Sequence, residues 1–305
     1  MDHEHYEWSP INKRLPLKWP SGARVALCVI VSLEHFEWNI PEIGLMPPGP
    51  FGKKYFYPFT TSWSRREYGH RVGIFSVMEV LDRYGIRATM AMDAVTAENY
   101  PFIVKECKNR EWEFIGHGLS LQHVISSKMN EEQERGYIQT SLNAVQKATG
   151  IRPVGWFGPQ YGESPRTPQL LVREGVRYIC DWPNDDQPYQ TKGNDAFFLP
   201  VSLELEDEFA MGGPRYLPIT DYCKILQDAF EVLFREGEGN GRLLVLSLHP
   251  YLIGQPFRIK YLNKALAHIC KHDAVWKATG REITDWYAKH HQGTWFARAL
   301  NTELR

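Results

Sequence analysis

No sign of charge dominates this 305-residue sequence: 35 Lys and Arg stand against 36 Asp and Glu, a formal net charge of −1 with a pI near 6.8. That balance provides no field for gathering nucleic acid or an anionic membrane, and neither is expected as a partner. Long apolar runs are also missing, so no segment is predicted to span a bilayer. The first seven residues carry acids and no apolar core, which predicts no secretory signal and a cytoplasmic protein. Cysteines are few: Cys28, Cys107, Cys180, Cys223 and Cys270 are scattered, odd in number and never spaced as CxxC. A disulfide framework or a cysteine metal knot is therefore not expected. Neither G-x-G-x-x-G after the first strand nor G-x-x-x-x-G-K-[ST] occurs, which removes the main support for nucleotide binding. Internal repeats are absent. His3 and His5 sit in a polar arm that reads as disordered.

What is present is a long alternation of strand and helix. Residues 24–32 form a continuous apolar, β-branched run that predicts a strand buried on both faces. Helical spacing of Val72, Phe75, Val77, Met78, Val80 and Leu81 follows at 68–84, stopped by Gly85. Further strands are predicted at 88–92, 112–115, 154–157, 177–180, 196–201 and 243–248, with helices at 98–108, 130–149, 167–174, 220–235, 259–271 and 282–290. Such alternation means a parallel sheet with right-handed crossovers. The predicted class is α/β, a deformed (β/α)7–8 barrel with parallel strands. One catalytic domain is expected over 1–305, with its core at 18–288, an arm at 1–17 and a tail at 289–305. Residues 39–64, rich in Pro, Gly, Tyr and Phe, read as a loop serving as a lid or a subunit contact. Its Tyr55, Phe56, Tyr57 and Phe59 are either pocket walls or ordinary loop packing.

Chemistry in such a barrel gathers where strands end. The residues found there are Glu34-His35, Asp93, His117-Gly118, Gly158-Pro159-Gln160-Tyr161, Asp181-Trp182 and His249-Pro250. Three histidines and three carboxylates at equivalent positions predict one shared site. Asp93 reads equally as a helix N-cap, while His35 and His123 stay open. The acidic run 204–208 reads first as a solvated loop, with lining of the mouth as the lesser alternative.

Six sequence pieces in this order resemble the polysaccharide-deacetylase superfamily over about residues 18–288. They are Trp19-Pro-x-Gly22-Ala-Arg-Val, Glu67-Tyr68-Gly69-x-Arg71-x-Gly73, Trp112-Glu113-Phe-Ile-Gly-His117-Gly118, Arg152-Pro153-x-Gly155-Trp156, Asp181-Trp182 and Leu248-His249-Pro250-Tyr-Leu-Ile-Gly254-x-Pro256-x-Arg258. Within it the chain is most similar to the branch of metal-independent allantoinases and cyclic imide hydrolases. The metal-dependent members carry two aspartates where this chain has Glu34-His35, and a second ligand histidine where it has Leu121. The resemblance implies a hydrolase of a non-peptide carbon–nitrogen bond in a small cyclic amide, imide or ureide. An amino-sugar N-deacetylase and a non-enzymatic binding barrel are the alternatives. Implied roles are Glu34 as general base, His249 as general acid, His117 as donor to substrate or oxyanion, and Asp181 as orienter of His249 or holder of the substrate amide. Trp156, Gln160, Trp182, Arg71, Asp93 and His35 are expected to bind substrate. Metal independence is expected; the alternative is one zinc held by Glu34 or His35 with His117 and His123. By analogy, and from the apolar segment 294–300, a homodimer or homotetramer is expected.

Overall fold

The computed structural model describes residues 3–38, 60–193, 196–212 and 216–291. The aromatic loop residues Tyr55, Phe56, Tyr57 and Phe59 and the segment 294–300 lie outside them. Parallel strands β1 (Val25–Leu33), β2 (Thr89–Met92), β3 (Glu113–Gly116), β4 (Gly155–Trp156) and β5 (Tyr178–Ile179) follow one another round the sheet, with the short β6 (Tyr189–Gln190) and β7 (Phe197–Phe198) beyond them. On the other side of β1 run β8 (Arg242–Leu248) and, against its first residues, β9 (Val275–Lys277). Helices α1 (Thr60–Tyr68), α2 (Ile74–Arg83), α3 (Ala94–Asn99), α4 (Pro101–Asn109), α5 (Glu131–Thr149), α6 (Thr167–Arg173), α7 (Ile219–Glu236), α8 (Pro250–Ile253), α9 (Pro256–Cys270) and α10 (Gly280–His291) make the connections.

This is the expected α/β class: mostly parallel strands in a curled half-barrel sheet. Two details depart from the parallel barrel. β6 pairs with β7 antiparallel, and β6 and β8 share no ladder. The gap is bridged by single hydrogen bonds: the Leu243 N–H reaches the Asp186 carbonyl at 2.8 Å, and Gln187 Nε2 reaches the Gly241 carbonyl at 2.7 Å. Arg14, from the N-terminal arm, pairs with Asp185 beside them. The arm expected to be disordered is thus packed from its first described residues, His3, His5 and Tyr6 lying against Trp182.

The two-residue period of the strands sorts the core into layers. Odd positions Val25 to Leu33 of β1 and even positions Leu244, Leu246 and Leu248 of β8 pack outward against the helices. Ala26, Cys28 and Ile30, with Leu243 and Val245, fill the barrel interior. Continuing each inward row one step past the strand end turns it polar: Ser32 then Glu34, Ser247 then His249. Register finishes the job, because Leu33, Met92 and Gly116 lie in one row, so Glu34, Asp93 and His117 emerge together at the mouth.

Two segments expected to be loop or continuous helix differ. Residues 60–64 begin α1 rather than ending the aromatic loop, and α1 and α2 are joined by a π-helical turn, Gly69–Gly73. Its glycines let the turn after β8 come close: a Cβ on Gly73 would lie 2.0 Å from the Pro250 carbonyl oxygen. π-turns of this kind recur at functional sites, and here one supports the backbone of His249. Overpacking typically destabilises by about 1–3 kcal/mol. Gly73→Ala is therefore expected to lower the urea midpoint and to reduce turnover by shifting His249; an unchanged midpoint would contradict the packing described.

Candidate active site

Glu34 leaves β1 with its carboxylate 4% exposed. Arg66 Nη1 donates to its Oε2, and His117 Nε2 lies 3.2 Å from its Oε1. Burial opposes ionisation, yet Arg66, His117 and His249 together hold this carboxyl well below the usual range. His117 is fixed from behind, its Nδ1 donating to the Phe157 carbonyl. With that proton committed, the Glu34–His117 contact has room for one exchangeable proton.

His249 faces the same space. Its Nδ1 is 2.7 Å from Asp207 Oδ1, and its backbone N–H donates to Asp207 Oδ2 at 2.9 Å. The ring is thereby set with Nε2 toward the mouth, 3.8 Å from Glu34 Oε2 and 3.3 Å from Glu208 Oε2. Burial alone would lower its pKa, but Glu208, Asp207 and Glu34 push it up to about 10, so the ring is an imidazolium at neutral pH. Beside it Glu206 is driven the other way: burial pushes its carboxyl up to about 8, against the pull of His249 and with help from Glu208 and Asp207. Environments that separate the protonation states of neighbouring groups mark acid and base assignments.

The structure brings together Glu34, His117 and His249 as expected and redistributes the rest. Asp181 does not orient His249; Asp207 does. Asp181 instead accepts the Gly158 N–H at 2.7 Å and pairs with Glu163, burial and that neighbour raising its pKa well above the carboxylate range. Glu163 in turn accepts from Trp182 Nε1 at 2.9 Å, so Asp181 and Trp182 clamp the loop after β4. Gln160 is exposed on that loop, with left-handed backbone at φ 53°, and a buried Glu134 on α5 ties the loop's far end through Ser164 and Thr167.

Trp156 does not face the mouth. It is fully buried on the outward row, packed with Leu142 of α5 rather than with the inward-facing Phe157. Arg71 is exposed on the π-turn, and the site arginine is Arg66. Asp93 is the N-cap of α3, accepting from Thr96 N at 2.7 Å, and also receives the His35 N–H. Burial pushes its pKa up to about 7. The ring of His35 interacts with Glu37 and Glu67, and His123 bonds Ser120 and Glu37, so the zinc set built on His117 and His123 is not assembled. Sequence reasoning missed Arg66 and ranked second the reading that holds for the acidic run, whose Glu206, Asp207 and Glu208 turn inward to surround His249.

That run and the motifs after β3 and β8 invite comparison with known proteins. Residues 68–179 match the sequence profile of the family described as polysaccharide deacetylase. Over those residues the chain is similar to a polysaccharide deacetylase domain. A Schizosaccharomyces pombe relative bearing the family's name is 26% identical, covering 89% of this chain and 93% of its own. The peptidoglycan deacetylase of Helicobacter pylori is 23% identical over 75% of this chain and 88% of its own. Among solved structures, that of Puue allantoinase superposes with a TM-score of 0.81 at 24% identity, covering 90% of this chain and 93% of that one, which speaks for the fold. Members of the deacetylase family are hydrolases acting on non-peptide carbon–nitrogen bonds, the enzyme class to which this chain belongs.

A metal-dependent deacetylase needs about three protein ligands and an open position. Among the described residues of the mouth, Glu34, Glu208 and His249 offer donor atoms within 4.8 Å of one another. Arg66, however, donates to Glu34 through one nitrogen and to Glu208 through the other, the latter at 2.6 Å. While both carboxylates hold that guanidinium, the mouth does not fit a divalent ion.

Proposed function

We propose that the chain hydrolyses an amide-type carbon–nitrogen bond in a small cyclic amide, imide or ureide. The carrying observation is the pair across the mouth: an ionised Glu34 and a protonated His249 with their reactive atoms 3.8 Å apart. Amide hydrolysis needs an activated water, donors for the tetrahedral oxyanion and a proton for the leaving nitrogen. Glu34 takes the water's proton into its contact with His117. In the resting site the Arg66 guanidinium holds this carboxylate too firmly for it to be a strong base, so a substrate carbonyl that takes a share of the guanidinium's donors switches its basicity on. Arg66, and His117 once the water's proton has passed from Glu34 to its Nε2, then meet the developing negative charge, and His249 protonates the nitrogen while Asp207 holds the ring. The shared fold with an allantoinase supports this reading.

Amino-sugar N-deacetylation is the second reading, favoured by the name of the Helicobacter pylori relative. A hydrolysis panel of allantoin, hydantoins, succinimide-type imides and N-acetylglucosamine oligomers, run with and without chelator, separates the two. Chelator-insensitive turnover of cyclic members is expected; turnover confined to acetylated sugars and abolished by chelation would sink the first reading.

The pH profile carries a further expectation. His249 is the acid only while protonated, so kcat/KM should hold to an alkaline limb near pH 10. Asp207→Asn keeps a hydrogen-bonding side chain but removes one of the charges that raise the imidazolium pKa, and the limb should move toward neutrality. A limb that stays put in that variant would remove Asp207 from this role.

A further inference from the structure

The mouth holds a trio of ligand-type side chains, Glu34, Glu208 and His249, with donor atoms within 4.8 Å of one another and, between two of its members, a cation that belongs to the protein. Arg66 leaves α1, 11% exposed in its side chain, with Nη1 on Glu34 and Nη2 on Glu208. Its guanidinium carbon lies 4.0 Å from the centroid of the Tyr251 ring, and Tyr251 Oη donates to Glu208 at 2.8 Å. The arrangement is over-determined: ring, hydroxyl and two carboxylates fix one planar group. A zinc ion ligated by Glu34, Glu208 and His249 requires oxygens at about 2.0–2.2 Å, and those carboxylates are the ones the guanidinium bonds. An arginine keeps its charge at any working pH, so it cannot yield the place by losing a proton.

We propose that Arg66 is an internal substitute for a catalytic metal: its guanidinium and a divalent transition ion are alternative occupants of the Glu34–Glu208–His249 trio, and the native chain uses the guanidinium. The guanidinium and a metal ion exclude each other because both need the carboxylates of Glu34 and Glu208, which the guanidinium already bonds. Arg66 supplies fixed positive charge beside Glu34 without a ligand position for water, which leaves water activation to the carboxylate.

The test is zinc stoichiometry on the full chain, read without substrate, so its failure is distinct from a failure of the hydrolysis panel on which the functional reading rests. Wild type, Arg66→Ala, Arg66→Lys and the double variant Arg66→Ala/Glu208→Gln are equilibrated with micromolar zinc, desalted and assayed for metal. A second trio on the outer helices, Glu231, His268 and His272, is common to all four and cancels in the differences. Arg66→Ala is expected to gain about one zinc per chain over wild type, Arg66→Lys to gain none, and the double variant to lose the gain. Should Arg66→Ala not fold, Arg66→Gln serves with the same readout. The proposal is overturned if a folded neutral variant gains no zinc, or if wild type already holds a zinc that Glu208→Gln removes; that second comparison needs no Arg66 variant.

Discussion

Replacing His249 with alanine is expected to lower turnover about 10³-fold, the middle of the range for a positioned acid. The expectation rests on how completely the ring is committed. Its Nδ1 and its backbone N–H are both bonded to Asp207, itself fully buried, and Nε2 is the group turned to the mouth. Glu206, whose carboxyl is raised to about 8, lies 4.0 Å from Nε2 and is a weaker substitute acid. Some folding stability goes as well, since Asp207 keeps only the backbone donor, and a buried carboxylate stripped of a partner is destabilising. Turnover is therefore compared at a temperature where circular dichroism shows both proteins folded. Retention of more than about a tenth of wild-type turnover would remove His249 from the acid role.

Glu34→Gln is expected to lower turnover between about 10²- and 10⁴-fold, and it has a stability signature that a mere loss of packing lacks. Glutamine keeps the shape and an acceptor for Arg66 but not the charge. Because the Glu34 pKa is depressed in the folded state, its contribution to stability is present above the unfolded value near 4.5 and is lost as pH falls toward the folded value. The gap in unfolding free energy between wild type and Glu34→Gln should accordingly be widest above pH 4.5 and shrink on acidification. A gap that is constant with pH would show that the charge is not held by Arg66 and His117 as described. Near-normal turnover would end the general-base assignment.

Much of the site was legible because strand ends are legible. A buried parallel strand announces itself as an apolar run, and the first polar residue beyond an inward row must emerge at the mouth; Glu34, His117 and His249 follow from that alone. Trp156, which the resemblance implied as a substrate contact, shows what strand parity adds. Its neighbour Phe157 takes the inward row, which places Trp156 under α5. Counting parity from Gly155 through the strand end would have found this. Asp93 illustrates a second limit, since one carboxylate served as helix cap and as acceptor for the His35 N–H, and sequence signals for cap and site coincide.

Arg66 had no such signal, and for the 206–208 carboxylates a place at the mouth was only the lesser of two readings. Their functional placement depends on where a helix and an acidic loop come to rest against β1 and β8, and solvated charge runs have the same composition. The sequence by itself determined the α/β class, the order of strands and helices, and three of the groups at the mouth, because hydrophobic period and strand polarity are local properties. Only the tertiary structure decided that Asp207 rather than Asp181 holds His249, and that Arg66 stands between Glu34 and Glu208. Those pairings join residues far apart in the chain, 142 positions for Arg66 and Glu208, and their geometry exists only once the barrel has brought the two loops within a few ångströms.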